Sequence, residues 1–181
     1  MTEFNRRDFI KSAGLAFGSV MLFPSCLKQI NTYRFFTPDE AKCVIALCEQ
    51  IIPKDKSPGA TDAGVIYYID RQLAGVFHYD QQTYRNGIKN LQTWCTKKSG
   101  KLFELLVATE QQKVMKMMES NQIKETEWPQ AQASEFFNLV LSHTMQGFYG
   151  SPIHGGNKGY MSFEMLRIDY PLVIGQNRYR S

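Results

Sequence analysis

The sequence lacks the short motifs that hold redox cofactors, nucleotides and metal ions. It contains no C-x-x-C-H for haem attachment, no C-x-x-C pair, no G-x-G-x-x-G dinucleotide fingerprint and no phosphate loop of the G-x-x-x-x-G-K-[ST] type. Three aspartates that could suggest a metal, Asp55, Asp62 and Asp70, do not have the spacing of a calcium loop. We therefore expect no catalytic residue, cofactor or metal ion in this chain.

Cysteine is scarce, with four residues among 181. Cys26 belongs to the N-terminal segment described below, which leaves the odd set Cys43, Cys48 and Cys95. An odd set argues against a full disulfide framework. Cys43 and Cys48 are five apart on one predicted helix, so they point in different directions. We expect buried free thiols, and the alternative is that one of them pairs with Cys95.

Long hydrophobic runs are absent as well, since no later segment approaches the ~20 apolar residues that span a bilayer. The net charge is +4, and removing the three basic and two acidic residues before position 27 leaves +3. A charge so small and scattered does not indicate nucleic-acid binding. The composition, 43% hydrophobic and 21% charged, is that of a globular protein, and the length suits one domain.

The N-terminal stretch has the order of an export signal. Arg6 and Arg7 are followed by Phe9 and Lys11, which is the pattern of a twin-arginine signal. The weakly apolar run over 12–23 is too short for a membrane helix and fits the central region of a removable signal. The alternative is an ordinary amphipathic helix. Because the twin-arginine route carries folded proteins, the signal predicts a chain that binds a cofactor or travels with a protein that does.

Cys26 ends a segment, Phe-Pro-Ser-Cys, that resembles a lipoprotein cleavage box. Cleavage there would make Cys26 the first residue of the mature chain and attach lipid to it; the alternative is a signal-peptidase site beside an incidental cysteine. The predicted organisation is a signal over 1–26, a tether over 27–36 and one domain over 37–181. We expect an exported, periplasmic protein tethered to the membrane by its lipid.

Apolar residues at helical spacing predict a mainly α domain of about five helices, followed by a long glycine- and aromatic-rich loop and an irregular tail. Thr37 and Glu40 form a capping-box pattern with Pro38 at the first helical position, and Pro53 ends that helix. The later helix starts are assigned to Thr61 or Asp62, Asp80, Thr109 and Pro129, and the helix ends to Gly75, Gly100 and Gly147.

The loop over 147–160 is the most informative stretch of the mature chain. Its glycines allow close backbone approach, and its aromatic residues give large, stiff contact area. Two interpretations stay open: a loop that binds a partner or ligand, and a surface turn that packs against its own domain. The predicted partner-binding residues are Phe148, Tyr149, Pro152, His154, Gly155, Gly156, Asn157, Gly159 and Tyr160.

The three histidines lie far apart in sequence. We interpret His143 as a residue with satisfied polar atoms near the end of the last long helix, and His78 as solvent-exposed. His154 could donate a hydrogen bond to a partner or to its own loop. A rival function is an enzyme that uses His143 and Asp70.

Several segments together resemble the gluconate 2-dehydrogenase subunit 3 family, over essentially the whole mature chain. The P-x-x-G-G-N stretch is the most specific part of the resemblance. The segments are Thr37-Pro38-Asp39-Glu40, Ile51-Ile52-Pro53, Gly59-Ala60-Thr61-Asp62-Ala63-Gly64-Val65, Tyr68-Ile69-Asp70, and the loop from Gly147 to Asn157.

The resemblance implies a non-catalytic accessory subunit. Such subunits accompany a large flavin-dependent subunit of the glucose-methanol-choline type, which would hold FAD, and a cytochrome c often accepts the electrons. The small subunit would assist maturation of the large one and carry it through the twin-arginine translocon. The implied substrates are sugars and sugar acids. The remaining alternative is a stand-alone lipoprotein that binds cell-surface glycans.

Overall fold

Six α-helices and short 3₁₀ turns form the part of the chain that the computed structural model describes, residues 32–129 and 132–168. The helices are α1 (Pro38–Ile51), α2 (Val65–Leu73), α3 (Gln81–Ser99), α4 (Ala108–Glu119), α5 (Ala133–Tyr149) and α6 (Met161–Met165). These two ranges contain no strand, so the predicted mainly α fold is confirmed. The five predicted helices correspond to α1–α5, and the short α6 follows the loop.

α5 lies at the centre of the domain and packs against α1, α2, α3 and α4. Its large apolar side chains Phe136, Phe137, Val140 and Phe148 are buried. Burying one such side chain stabilises a fold by about 1.5–3 kcal/mol relative to leaving it in water. The other long helices are therefore arranged around the apolar surface of α5.

α1 begins as the sequence predicts. The Glu40 N–H donates to the Thr37 hydroxyl oxygen, and the Thr37 N–H donates to the Glu40 carboxylate at 2.8 Å. This reciprocal pair satisfies N–H groups that have no partner inside the helix. The helix ends at Ile51, two residues before Pro53.

Both residues predicted to cap α2 bind elsewhere. The Thr61 hydroxyl donates to the Glu49 carboxylate, and the Asp62 carboxylate accepts from the Gly59 N–H at 3.2 Å. These bonds close the loop between α1 and α2. α2 therefore begins only at Val65, without a side-chain cap.

Two later helix starts also differ from the prediction. α4 begins at Ala108 rather than after Thr109, and the cap at its start comes from the Glu110 carboxylate, which accepts a bond from the preceding backbone. α5 begins at Ala133 rather than at Pro129, whose carbonyl accepts a bond from an α3 side chain. A side chain of α4 itself thus caps its start, whereas a side chain of α3 binds the backbone at Pro129, ahead of α5.

Of the three glycines predicted to end helices, only Gly100 does so, as the left-handed cap of α3 with φ 73°. α2 stops at Leu73, with Ala74 at its C-cap. α5 continues through Gly147 to Tyr149. Inside the helix, Gly147 makes a close contact that is described in the next subsection.

None of the helices in the described ranges has the length and hydropathy needed to cross a bilayer. The predicted signal residues Arg6, Arg7 and Phe9, and the predicted lipidation residue Cys26, lie outside those ranges. The export signal and the lipid anchor therefore stay predictions.

Candidate partner-binding surface

A contact between two glycines holds the loop against α5. Gly156 lies so close to Gly147 that a Cβ at position 156 would be 2.1 Å from the Gly147 carbonyl oxygen. A Cβ at position 147 would be 3.0 Å from the Tyr68 ring and 3.1 Å from Val65, both on α2. Side chains at either position would push these elements apart. The two glycines therefore allow α2, α5 and the loop to meet at one place.

Asn157 closes the loop from within. Its side-chain Nδ2 donates to the Gly150 carbonyl at 2.8 Å, and its Oδ1 accepts from the Ser162 N–H at 2.9 Å. Its backbone has a left-handed φ of 44°, a region in which asparagine is enriched. Asn157 thus ties the end of α5 to the start of α6.

Two further contacts fix the loop on α2. Arg71 Nη1 donates to the Ile153 carbonyl at 3.0 Å. Gly155 lies against the backbone of Tyr67, where a Cβ would be 3.1 Å from the Tyr67 carbonyl oxygen. The backbone over 152–157 is therefore held from both sides by contacts within the domain.

The structure divides the predicted partner-binding residues into two groups. Phe148, Gly156 and Asn157 are buried, which places their contacts inside the domain rather than on a partner. A loss of binding after their replacement would report the folding of the loop as well as a contact. The remaining residues are exposed or half-exposed, and partner binding by them stays a prediction: Tyr149, Pro152, His154, Gly155, Gly159 and Tyr160.

Asp70 holds the segment that precedes α1. Its buried carboxylate accepts hydrogen bonds from three successive backbone N–H groups, those of Arg34, Phe35 and Phe36, at 2.7, 2.8 and 3.0 Å. Such charge-assisted bonds are about twice as strong as neutral ones. The last residues of the segment predicted as a tether, 27–36, are thus attached to the domain.

This role of Asp70 was not predicted from the sequence. The signal was present, because Asp70 follows Ile69 in a helix whose stripe of Val65, Ile66, Ile69 and Leu73 is buried. A carboxylate beside such a stripe needs hydrogen-bond partners if it is buried. What the sequence could not show is that the partners come from a segment 34–36 residues earlier in the chain.

Arg85 binds the same segment from α3. Its guanidinium forms an ion pair with Glu40, donates to the Phe35 carbonyl at 2.8 Å and lies 4.2 Å from the centre of the Phe35 ring. Burial raises the pKa of Glu40, but the bonds from Arg85 and Thr37 outweigh burial and hold that pKa below its ordinary value. Asp70 on α2 and Arg85 on α3 therefore both bind the segment that precedes α1.

His143 sits in a buried stack of aromatic rings. Its ring lies 4.8 Å from that of Phe77 and 5.8 Å from that of Tyr84, both nearly parallel to it. The Tyr84 hydroxyl and His143 Nδ1 share a hydrogen bond of 3.1 Å, and Nε2 is 3.7 Å from the Asp80 carboxylate. Burial lowers the pKa of His143 more than Asp80 raises it. The interpretation of His143 as a satisfied, buried histidine is confirmed.

The other two histidines are exposed. His78 Nδ1 lies 3.2 Å from the Gly75 carbonyl oxygen, within a 3₁₀ turn, and its predicted exposure is confirmed. His154 is at the end of the turn Pro152–His154. The residues of the rival enzyme, His143 and Asp70, are both engaged in contacts that hold the fold together.

The thiols of Cys43, Cys48 and Cys95 are buried and free, as predicted. Burial raises the pKa of Cys48 and of Cys95 to about 12, and it raises the pKa of Cys43 well above its ordinary value. Within the described ranges, no group of three or more histidine, cysteine, aspartate or glutamate side chains is placed to hold a metal ion.

These features define a class: a small helical domain whose buried polar groups serve the fold and whose preformed loop lies at the surface. The chain belongs to the gluconate 2-dehydrogenase subunit 3 family, whose family model matches residues 38–169. The match includes all six helices and the loop, and it confirms the resemblance. It makes the chain one subunit of a dehydrogenase with more than one kind of subunit. Comparisons with curated proteins and with solved structures gave no match.

Proposed function

We propose that this chain is the small, non-catalytic subunit of an exported FAD-dependent dehydrogenase that oxidises CH–OH groups of a sugar or sugar acid. The single observation that carries the proposal is the family match over residues 38–169. The large partner is a flavoprotein of the glucose-methanol-choline type. It holds FAD and performs the oxidation, and a cytochrome c receives the electrons.

The separate roles of the two subunits follow from what the twin-arginine route requires. A flavoprotein must bind FAD and fold in the cytoplasm before that route can export it. The small subunit binds the folded flavoprotein, assists its maturation and supplies the export address through Arg6, Arg7 and Phe9. After export, lipid on Cys26 tethers the pair to the membrane.

The preformed loop supports binding to a large partner. Ordering a flexible loop upon association opposes binding, whereas a loop already held in its bound shape avoids most of that penalty. Here Asn157, Gly156 and Arg71 fix the loop through contacts within the domain. Its exposed side chains, Tyr149 and His154 among them, are thus presented in one arrangement.

The export role is tested in the native host by replacing Arg6 and Arg7 with lysine together. We expect the flavin-dependent dehydrogenase activity to leave the periplasmic and membrane fractions and accumulate in the cytoplasm. The matched control replaces Lys11 with arginine, which keeps the paired arginines and the charge. Unchanged export of the activity in the Arg6→Lys, Arg7→Lys strain would show that the flavoprotein does not depend on this chain.

A further inference from the structure

Three elements meet at one surface beside the loop. The Tyr33 ring stacks on the Tyr67 ring of α2, with centroids 5.8 Å apart and planes 22° apart. One turn further along α2, Arg71 binds the carbonyl of Ile153. We call the area formed by Tyr33, Arg34, Tyr67, Arg71 and Ile153 the Tyr67–Ile153 surface. It joins the segment before α1, the outer side of α2 and the turn Pro152–His154.

Large apolar side chains are exposed on this surface although their backbone is fixed. Ile153 is 71% exposed and Tyr67 is 47% exposed. The bond from Arg71 to the Ile153 carbonyl, and the packing of Gly155 on the Tyr67 backbone, hold both residues in place. A rigidly presented aliphatic side chain next to a tyrosine and an arginine has the composition of an interface hot spot.

Two arginines belong to this surface, one in the segment before α1 and one on α2. Arg34 and Arg71 are exposed, and among the described residues neither forms an ion pair with an acidic side chain. The carboxylate of Asp70, next to Arg71 in sequence, is buried and accepts bonds from backbone N–H groups. The surface therefore fits a partner whose contact area is apolar at its centre and acidic at its rim.

The same charges disfavour a second copy of this chain as the occupant. In a two-fold symmetric contact the same patch faces itself, so Arg34 and Arg71 would meet their own counterparts. Like charges brought together across an interface destabilise it. A different protein does not have this built-in repulsion, and the family to which the chain belongs implies one, a further dehydrogenase subunit.

We propose that the Tyr67–Ile153 surface is the contact with the flavoprotein subunit. Ile153 enters an apolar pocket on that subunit, and Arg34 and Arg71 face carboxylates at the rim of the pocket. This rests on the proposed function and adds to it the place of contact, which the sequence put only within the loop. Tyr33 and Tyr67 extend the contact to the segment before α1, so the partner also touches the part of the domain nearest to the lipid-bearing end.

The test uses full-length chains with an affinity tag, expressed in the native host, and measures flavin bound per small chain while the purified complex is diluted. The first variant is Ile153→Asp. The matched control is Leu105→Asp, since Leu105 is 63% exposed and also lies in a 3₁₀ turn. We expect Ile153→Asp to raise the dissociation constant of the complex at least about 30-fold, as for a central hot spot. We expect Leu105→Asp to leave the dissociation constant unchanged.

A second variant, Arg34→Glu, tests the charge. The Arg34 side chain can be changed while its backbone bond to Asp70 stays. We expect weaker binding for Arg34→Glu than for wild type at low salt, with the difference shrinking as salt is raised. If wild type and Arg34→Glu bind equally well at low salt, the partner does not present acidic side chains to Arg34, and that part of the proposal is wrong.

The remaining outcomes separate this proposal from the proposed function. If wild type carries no flavoprotein, the proposed function is wrong and this surface falls with it. If Ile153→Asp binds as wild type does, the surface is wrong while the proposed function stands. If Ile153→Asp lowers the melting temperature by several degrees, the surface is covered by the chain itself. If it binds the flavoprotein but loses binding to anionic phospholipid vesicles, the surface is a lipid contact.

Discussion

At the scale of single residues, the Asp70 carboxylate attaches parts of the chain that are far apart in sequence. It accepts three backbone N–H groups of the segment before α1. Asn at this position offers one acceptor oxygen and turns an NH₂ group toward the same N–H donors. Removing an acceptor leaves buried donors without partners, which destabilises a fold more than the bond itself stabilises it.

We expect Asp70→Asn to reduce the free energy of unfolding by about 2–4 kcal/mol, which lowers Tm by roughly 5–12 °C for a domain of this size. Thermal unfolding followed by circular dichroism measures this. The matched control is Asp39→Asn, because Asp39 is exposed and pairs only with Lys42 on the surface. Equal Tm values for the two variants would show that the carboxylate at position 70 does not hold the segment.

Gly156 is the second residue whose replacement tests a specific contact, in this case its close approach to the backbone of Gly147. We expect Gly156→Ala to destabilise the domain by about 1–3 kcal/mol or more, because the added Cβ meets backbone, which cannot move aside as a flexible side chain could. The control is Gly75→Ala, where the nearest atom to an added Cβ is at an ordinary 3.4 Å. Urea unfolding of both variants is the measurement. A Gly156→Ala chain as stable as Gly75→Ala would contradict the glycine–glycine contact.

His143 makes the stability of the domain depend on pH. Its pKa is lower in the folded chain than the ordinary value of 6.5, because it is buried. Between the two pKa values the unfolded chain binds a proton that the folded chain does not, so stability falls as the pH decreases through this range. In the folded chain the neutral form that stacks on Phe77 persists down to the lowered pKa.

We expect the free energy of unfolding of the wild type to decrease as the pH is lowered from above 6.5 to below it, and expect a smaller decrease in His143→Phe. The control is His154→Gln, which removes an exposed histidine and should keep the wild-type dependence. Urea titrations at several pH values measure this. Parallel curves for wild type and His143→Phe would show that another group is responsible.

At the scale of elements, the crossing of α3 and α5 depends on a glycine. A Cβ at Gly87 in α3 would be 2.3 Å from the ring of Phe136 in α5. Within a helix, alanine is favoured over glycine by about 1 kcal/mol, but overpacking a core is unfavourable by about 1–3 kcal/mol. Phe136 is fully buried and has little room to move. The clash therefore outweighs the gain in helix propensity, and the substitution of Gly87 by alanine is destabilising.

We therefore expect Gly87→Ala to destabilise the domain by about 1–2 kcal/mol, although it improves the helix propensity of α3. The Phe136→Leu background provides the matched test, because the smaller side chain removes the clash and leaves the propensity gain. In that background Gly87→Ala should be neutral or stabilising, a strong departure from additivity. Additive effects would mean that the two helices do not meet at Gly87.

The elements that sequence could predict are those governed by local patterns. The apolar stripe and the Thr37–Glu40 capping box were enough for α1, and Gly100 was enough for the end of α3. The start of α2 could not be predicted, because Thr61 binds Glu49 from the previous helix. Gly147 was predicted to end α5 although it lies inside the helix, since the contact that requires a glycine there comes from α2 and the loop.

In the candidate site, too, the contacts that the loop makes with distant residues could not be predicted from local sequence patterns. Its glycine, asparagine and aromatic content singled it out as the most informative stretch of the mature chain. The sequence could not separate residues that shape the loop, such as Asn157, from residues that the loop presents, such as Ile153. That separation depends on the backbone of α2 lying beside the loop, which brings Arg71 and Tyr67 to it across about 80 residues of sequence.

At the scale of the whole molecule, the proposed function combines an export signal at the N-terminus with a partner-binding helical domain. Asp70 and Arg85 hold the domain to the segment at 34–36, only eight residues beyond Cys26. A chain extends at most about 3.3–3.6 Å per residue, so lipid on Cys26 would keep the domain within roughly 30 Å of the membrane. The bound flavoprotein would stay at the membrane surface with it.

The most direct test of the central claim is a pull-down of the affinity-tagged chain from its native host, with an absorption spectrum of the eluate. We expect a large co-eluting protein, together with flavin absorption bands whose intensity is proportional to the amount of that protein. A colourless eluate that contains this chain alone would contradict the claim that the chain is the small subunit of a flavoprotein dehydrogenase.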